Sequence, residues 1–385
     1  MPLVALVRCE SYDPSEVRKT LEKAFALLGG PERFVKKGEK ILLKPNLLAA
    51  APPEKCVTTH PAVFRAAAEI LADVGARLAY GDSPAVGSAA RCAEKAGIAE
   101  EARKLGLAAA DFARGETVSF EQARQNRRFV LARGVLHAEG IVSLPKFKTH
   151  GLEKVTGALK NQFGCVPGMR KAEFHMKLPD AFDFARMLVD LTRFVRPRLY
   201  VLDAVWAMEG NGPRNGKPRK LNVLALSDDC VALDATACRL IGLDPRSVPT
   251  IRLGEECGAG TFREHEILVV GEDLVSLRVP DFDVDRGPVR PFRRMGLSRF
   301  VTNRLVARPC IVEERCVKCG VCVETCPARP KALAWPGRDR SAPPVYDYSR
   351  CIRCYCCQEV CPEGAIRLEE PLARKALNLF ARGRI

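Results

Sequence analysis

Two cysteine runs near the end of the chain, C-V-K-C-G-V-C-V-E-T-C-P from Cys316 and C-I-R-C-Y-C-C-Q-E-V-C-P from Cys351, both fit C-x-x-C-x-x-C-x-x-x-C-P. Three thiolates at three-residue steps can wrap three corners of a cubic 4Fe-4S cluster, and in two-cluster ferredoxins the fourth cysteine of each run crosses to the other cluster. The spacing therefore predicts one cluster on Cys316, Cys319, Cys322 and Cys361 and a second on Cys351, Cys354, Cys357 and Cys326. A disulfide framework or paired zinc sites would also use thiols. Zinc, however, needs four ligands per site, and neither the third C-x-x-C step nor the prolines that follow, Pro327 and Pro362. Cys356 stands one residue out of register and receives no role.

Ahead of these runs, polar residues stand at the ends of apolar stretches where they would make poor core. Lys44-Pro45-Asn46, Gly81-Asp82-Ser83, Lys146 to His150, the adjacent Lys160 and Asn161, and Asp203 with Glu209 and Asn211 form this set. Lysine ammonium groups converging with asparagine and backbone donors hold carboxylate or phosphate oxygens, and burial among like charges moves a lysine pKa toward useful acid–base range. Lys146 and Lys148 alternate along an extended segment, so both project to one face. Histidines number only five. His60 opens a predicted helix, as ligand contact or cap; His150 is the candidate proton donor; His175 falls in a predicted loop that could close over a ligand. The catalytic candidates are thus Lys146, Lys148 and His150. The ligand-binding candidates are Lys44, Asn46, His60, Lys160, Asn161, Asp203, Glu209 and Asn211. Asp203 is expected to orient a lysine or bind a metal, and Asp234 to pair with a neighbouring lysine. No H-E-x-x-H, phosphate loop or G-x-G-x-x-G follows a strand, and G-N-G-P-R-N-G lacks the helix start a nucleotide cradle requires.

The elements that must position these groups alternate apolar runs with helical stretches through residues 1–285. The runs are L-V-A-L-V, K-I-L-L-K-P-N, A-R-L-A-Y-G-D, G-I-V-S-L-P, L-Y-V-L-D-A-V, N-V-L-A-L-S and E-I-L-V-V-G, with helices over 61–74, 89–105, 180–194 and 231–241. This is the pattern of an α/β domain with a mostly parallel sheet flanked by helices, in which ligands bind beyond the carboxyl ends of the strands. A basic linker over 286–310, a small α+β bacterial-ferredoxin-like domain over 311–368 and a basic amphipathic tail over 369–385 complete the expected organisation. The tail packs its leucines on the parent domain or meets a membrane surface or partner.

Composition narrows the class. The 385 residues are 47% hydrophobic with no apolar run near about 18 residues, so no transmembrane helix is predicted. M-P-L-V-A-L-V-R-C-E reads as a first strand and not an export signal. Seventeen cysteines, eight in cluster spacing, fit a reducing cytoplasm, and Cys9, Cys56, Cys92, Cys165, Cys230, Cys238, Cys257 and Cys310 read as small buried hydrophobes. The formal charge of +15 favours an anionic partner.

K-P-N-L at 44–47, T-T-H-P at 58–61, K-F-K-T-H at 146–150, G-A-L-K-N-Q-F-G at 157–164, D-A-V-W-A-M-E-G-N-G-P at 203–213 and V-A-L-D-A at 231–235 together resemble the family called domain of unknown function 362, in the form fused to a two-cluster ferredoxin module. The resemblance spans nearly the whole chain. It implies a cluster-binding protein with a dedicated α/β domain and brings no substrate. The chain departs from compact ferredoxins in the long insert between the cysteine runs, which could reach the large domain or a redox partner.

The leading expectation is a redox protein passing single electrons through two 4Fe-4S clusters to an anionic small molecule, the fusion keeping donor and acceptor sites at high effective concentration. The alternative is a non-catalytic electron carrier or maturation factor that docks an acidic protein through linker and tail. Nucleic-acid binding ranks last, because the arginines are not interleaved with aromatics, which make up 6% of the chain.

Overall fold

The computed structural model describes residues 1–168, 170–287, 289, 306–337 and 339–371. All seven apolar runs form strands. The strands of the large domain are β1 (Leu3–Arg8), β2 (Lys40–Pro45), β3 (Arg77–Tyr80), β4 (Ala108–Ala109), the separate hairpin β5 (Gly115–Ser119) and β6 (Arg128–Ala132), β7 (Gly140–Leu144), β8 (Lys146–His150), β9 (Lys154–Thr156), β10 (Leu199–Glu209), β11 (Lys217–Ser227) and β12 (Leu268–Gly271). The main sheet runs β12-β1-β11-β10-β7-β2-β3-β4. Only β11 lies antiparallel to its neighbours along this path.

Both faces of the sheet are covered, which is why its strands read as unbroken apolar runs. Strand β1 sends Ala5 and Val7 into one core, with Phe25 and Phe64, and Val4 and Leu6 into the other, with Leu233 and Ile251. The helix Pro14–Leu27, absent from the sequence reading, is capped by Asp13, which accepts the N–H groups of Ser15 and Glu16. The single helix expected over 89–105 is two, Ala89–Lys95 and Ile98–Lys104, because Gly97 takes φ of 74° between them. His60 caps the helix Pro61–Asp73 by accepting from Ala62 N. His175 lies in a helix, Arg170–Lys177, and not in a loop.

Strand β7 ends at Leu144, and Pro145 separates it from β8. Strand β8 then pairs with the far half of β10, placing Lys146 opposite Asp203 and Lys148 opposite Met208, and with β9 on its other side. K-F-K-T-H is therefore not a strand end but a strand in its own right, carrying its lysines over the sheet's carboxyl edge.

The C-terminal module joins β13 (Arg308–Ile311) to β16 (Ile366–Glu369) and β14 (Leu333–Ala334) to β15 (Val345–Tyr346), with short helices Val321–Thr325 and Cys356–Val360. Strand β13 begins inside the expected linker. Residues 288 and 290–305 of that linker, and 372–385 of the tail expected over 369–385, lie outside the described residues. Tyr355 and Leu368 pack with Leu152 of the large domain in one core. Among the described residues no helix is long and apolar enough to cross a membrane.

Candidate functional site

A cavity of about 660 Å³ lies between the two domains. Its floor carries Asn46, Lys146, Lys148, His150, Lys160 and Asn161 from the large domain; its roof carries Cys326, Pro327, Cys356 and Glu359 from the cysteine module. Six of the residues singled out from sequence as catalytic or ligand-binding thus meet on one surface.

Hydrogen bonds fix them. Lys148 Nζ donates to Asn46 Oδ1 (2.7 Å) and Val57 O (2.7 Å), and Asn46 Nδ2 donates to Asn161 Oδ1 (3.2 Å). Asn161 Nδ2 in turn donates to Ser143 Oγ (2.9 Å). Lys146 Nζ donates to Tyr12 Oη (2.7 Å) and Asp203 Oδ2 (3.0 Å), while Tyr12 donates to Asp203 Oδ1 (2.7 Å). Burial, reinforced by the charges of Lys160 and Lys146, pushes the Lys148 pKa down to about 7. Lys171, which the sequence reading passed over, lines the same cavity and is also pushed down to about 7, first by burial. Its four-residue offset from His175 on one helix is the signal that could have found it.

His150 differs from its expected role. Its Nδ1 accepts the backbone N–H groups of Leu152 (3.1 Å) and Glu153 (3.1 Å), so its proton sits on Nε2, 3.0 Å from Glu359 Oε1. Burial and then the Lys160 charge lower its pKa, and two backbone donors already occupy the nitrogen that imidazolium would protonate. His150 is a neutral bridge to the cysteine module and not the proton donor. For Glu359, burial alone would raise the pKa; His150, Lys160 and His175 outweigh it and hold the carboxyl below its ordinary range.

Five expected ligand contacts do not line the cavity. Lys44 is fully buried and pairs with Asp82 at 2.7 Å. Gly164 passes so close over this pair that a Cβ there would stand 1.8 Å from Asp82 Oδ1, which accounts for the last glycine of G-A-L-K-N-Q-F-G. His60 stacks on Tyr12 at 3.5 Å and donates its backbone N–H to Asp203. Asp203 orients Lys146 from beneath. Glu209 accepts from Asp283 N. Asn211 faces the cysteine module, donating to Ile366 O and accepting from Gln358 Nε2. Arg214 and Asn215 add bonds to Val360 O and Cys361 O. The glycine-rich segment therefore docks the module. Among the described residues Asp234 pairs with no lysine: it accepts the N–H groups of Ala158 and Leu159 at the head of the helix Ala158–Asn161.

The cysteines line two smaller cavities. Cys316, Cys319, Cys322 and Cys361 surround one, the outer cage, and Cys326, Cys351, Cys354 and Cys357 the other, the inner cage. Each cage thus takes three thiols from one run and its fourth from the other. Among the described residues no three such ligands converge as a single ion requires, and thiols spread round a cavity suit a cubic cluster instead. Two sulfurs already accept hydrogen bonds, Cys357 from Tyr346 Oη (3.3 Å) and Cys361 from Ala365 N (3.3 Å). Seven of the eight scattered cysteines are buried and Cys310 is half-buried. Cys326 and Pro327 line both the inner cage and the large cavity.

A helix-flanked, mostly parallel sheet whose cationic cavity is roofed by a cysteine-rich module defines an α/β protein fused to a ferredoxin-type domain. The chain belongs to the family described as Domain of unknown function (DUF362), whose model matches residues 41–239, just over half of the chain, and it carries a 4Fe-4S dicluster domain at 306–365. It is similar to the Thylakoid-associated protein sll1697 of Synechocystis sp., with 37% identity over 256 residues that span 66% of this chain and 79% of that relative. Among solved structures it is similar to the lactate racemase apoprotein of Thermoanaerobacterium thermosaccharolyticum, with 12% identity and a TM-score of 0.41 over 62% of this chain and 56% of that one. A likeness that slight adds nothing to the topology described above.

Proposed function

We propose that the protein is a reductase in which single electrons enter at the outer cage, pass to the inner cage and reach an anionic small molecule in the large cavity. The observation that carries this reading is the shared wall: Cys326 and Pro327 belong to both the inner cage and the cavity. When bound on the two sets of four thiols, 4Fe-4S clusters supply one-electron transfer at low potential. The chain does the rest. Lys146, Lys148, Lys160 and Lys171 create a positive field for an anion. Lys148 is the group placed to give a proton near neutral pH, since its pKa lies at about 7 and Asn46 holds its ammonium against the cavity. The module roof covers one side of the cavity.

Replacing Lys146 and Lys148 together by alanine should abolish reoxidation of the dithionite-reduced protein by an active fraction of small anionic metabolites while leaving iron content unchanged. Retained reoxidation would remove the assignment. The similarity to a protein named for thylakoid association, with no spanning helix among the described residues, supports a peripheral membrane contact. The alternative reading, a docking factor for an acidic protein, rests on linker and tail residues outside the described ones.

A further inference from the structure

Three of the four lysines on the cavity wall already have their acceptors. Lys146 and Lys148 have two each, and Lys171 donates to Ser83 O, Ser83 Oγ and Pro84 O. Lys160 is different. Among the described residues its ammonium has no hydrogen-bond or ion-pair partner, and it lies over the rings of Phe163 (5.2 Å) and Phe184 (5.6 Å). His175 rests on the same two rings, stacked on Phe184 at 4.3 Å and edge-on to Phe163 at 5.8 Å. His175 is 5% exposed and lines the cavity, yet its Nδ1 has no partner. A free cation and an unsatisfied imidazole nitrogen therefore share one aromatic platform. The imidazole nitrogen is desolvated and unpartnered, which is costly, while Lys160 is partly exposed; a carboxylate reaching both would satisfy them.

Apolar side chains share the remaining surface with polar groups, among them the carboxyls of Asp82, Glu173, Glu324 and Glu359. Leu48, Val86, Met176, Val321 and Val360 extend the cavity from this anchor toward Cys326 and Pro327. A cavity of about 660 Å³ is in the range that encloses a ligand of drug-like size. We propose that the ligand is a flat conjugated carboxylate of two or three fused rings, its carboxylate held between Lys160 Nζ and His175 Nδ1 and its ring system reaching the Cys326–Pro327 wall. The conjugation rests on the reductase reading: electrons arriving singly create a radical anion first, which a conjugated body delocalises and a saturated acid does not. Reduction of one ring double bond consumes two electrons and two protons. The electrons come from a reduced one-electron carrier protein outside the chain, one proton from the Lys148 ammonium and one from water.

The test is anaerobic calorimetry on the iron-loaded full chain with 2-naphthoate, decahydro-2-naphthoate, 2-naphthyl phosphate and acetate. We expect 2-naphthoate to bind at least tenfold more tightly than the saturated acid or the phosphate, and acetate to bind weakest. Lys160→Gln should weaken 2-naphthoate roughly tenfold, the scale of a lost charged hydrogen bond, and Lys160→Arg should restore most of the loss. His175→Phe should weaken it and His175→Gln largely spare it, with iron content and circular dichroism confirming that each variant is folded. Equal binding of the saturated acid overturns the conjugated ligand, tighter binding of the phosphate overturns the carboxylate, and full affinity in Lys160→Gln overturns the anchor. Failure of all four to bind the folded chain overturns the proposal as a whole. Binding as expected, with the paramagnetic resonance signal of the reduced chain untouched by any anion, would instead remove the reductase reading and leave the binding assignment standing.

Discussion

The two cysteine runs share a backbone and differ in what surrounds them. Lys318 and Arg353 both take positive φ, 56° and 60°, as do Gly320 and Tyr355 at 81° and 60°. Each run then opens a five-residue helix, Val321–Thr325 or Cys356–Val360. In the first run Gly320 faces Trp335 and Arg340 of the module's own insert, Cys319 is exposed and Val317 is 62% exposed. In the second, Cys354 is buried, Tyr355 donates to Ala307 O, Gln358 binds Asn211 and Gly212, and Glu359 meets His150. A tyrosine in the left-handed region costs about 1 kcal/mol or more, and the packing of Tyr355 against Gly151 and Leu368 offsets it. One backbone has thus been decorated twice, once for solvent and once for the cavity.

The largest break in that comparison comes from the cages themselves. Cys319→Ser and Cys326→Ser should each lower bound iron by roughly half. Only Cys326→Ser should also abolish the ligand-dependent change in the paramagnetic resonance signal, and an equal loss in both would erase the distinction between outer and inner cage. Next comes Gln358→Val, which gives the inner run the residue found at Val323 of the outer. Gln358 Nε2 donates to Asn211 O, Asn211 Oδ1 and Gly212 O, so stranding these acceptors should cost about 1–3 kcal/mol in denaturant unfolding. An unchanged midpoint would show that the docking bonds contribute little.

A pH dependence follows from Lys148 and Lys171. Both have folded pKa values of about 7, below their ordinary value of 10.5, so between these limits the unfolded chain binds protons the folded chain does not. Their contribution makes stability rise with pH from about 7 toward 10.5 and level off below about 7, where both states hold the proton. Lys148→Met should flatten that rise in melts taken across the window, and an unaltered slope would remove Lys148 as its source. The smallest effect belongs to Tyr346→Phe. Losing the O–H bond to Cys357 sulfur should move the inner cluster to a more negative potential and leave the outer one in place, as read by redox titration.

What the sequence disclosed depended on how local its signal was. The strands appeared as apolar runs because both sheet faces are covered, and the crossed cages appeared as cysteine spacing because each loop wraps its own three corners. Lys146 and Lys148 were legible as a pair because strand periodicity is local. The fate of Lys44 was not: its partner Asp82 comes from a neighbouring strand, and the pair is sealed by Gly164 from a third segment. Nor could the sequence show that Leu152 and Glu153 occupy the His150 nitrogen, because a tight turn brings them there. Glu209 and Asn211 were grouped with the ligand contacts because they follow a strand end, whereas the docking of a second module decides their use.

The cavity roof has a consequence for how the protein matures. Cys356, Glu359 and Val360 close the cavity from above while Cys357 and Cys361, in the same short stretch, belong to the inner and outer cages. Metallation and closure of the cavity are then one folding event, since the metal ligands organise the segment that supplies the lid. A newly made, iron-starved chain would present an open bowl with little hold on its ligand. On the proposed reductase reading, the molecule would take up its substrate only after its clusters are in place.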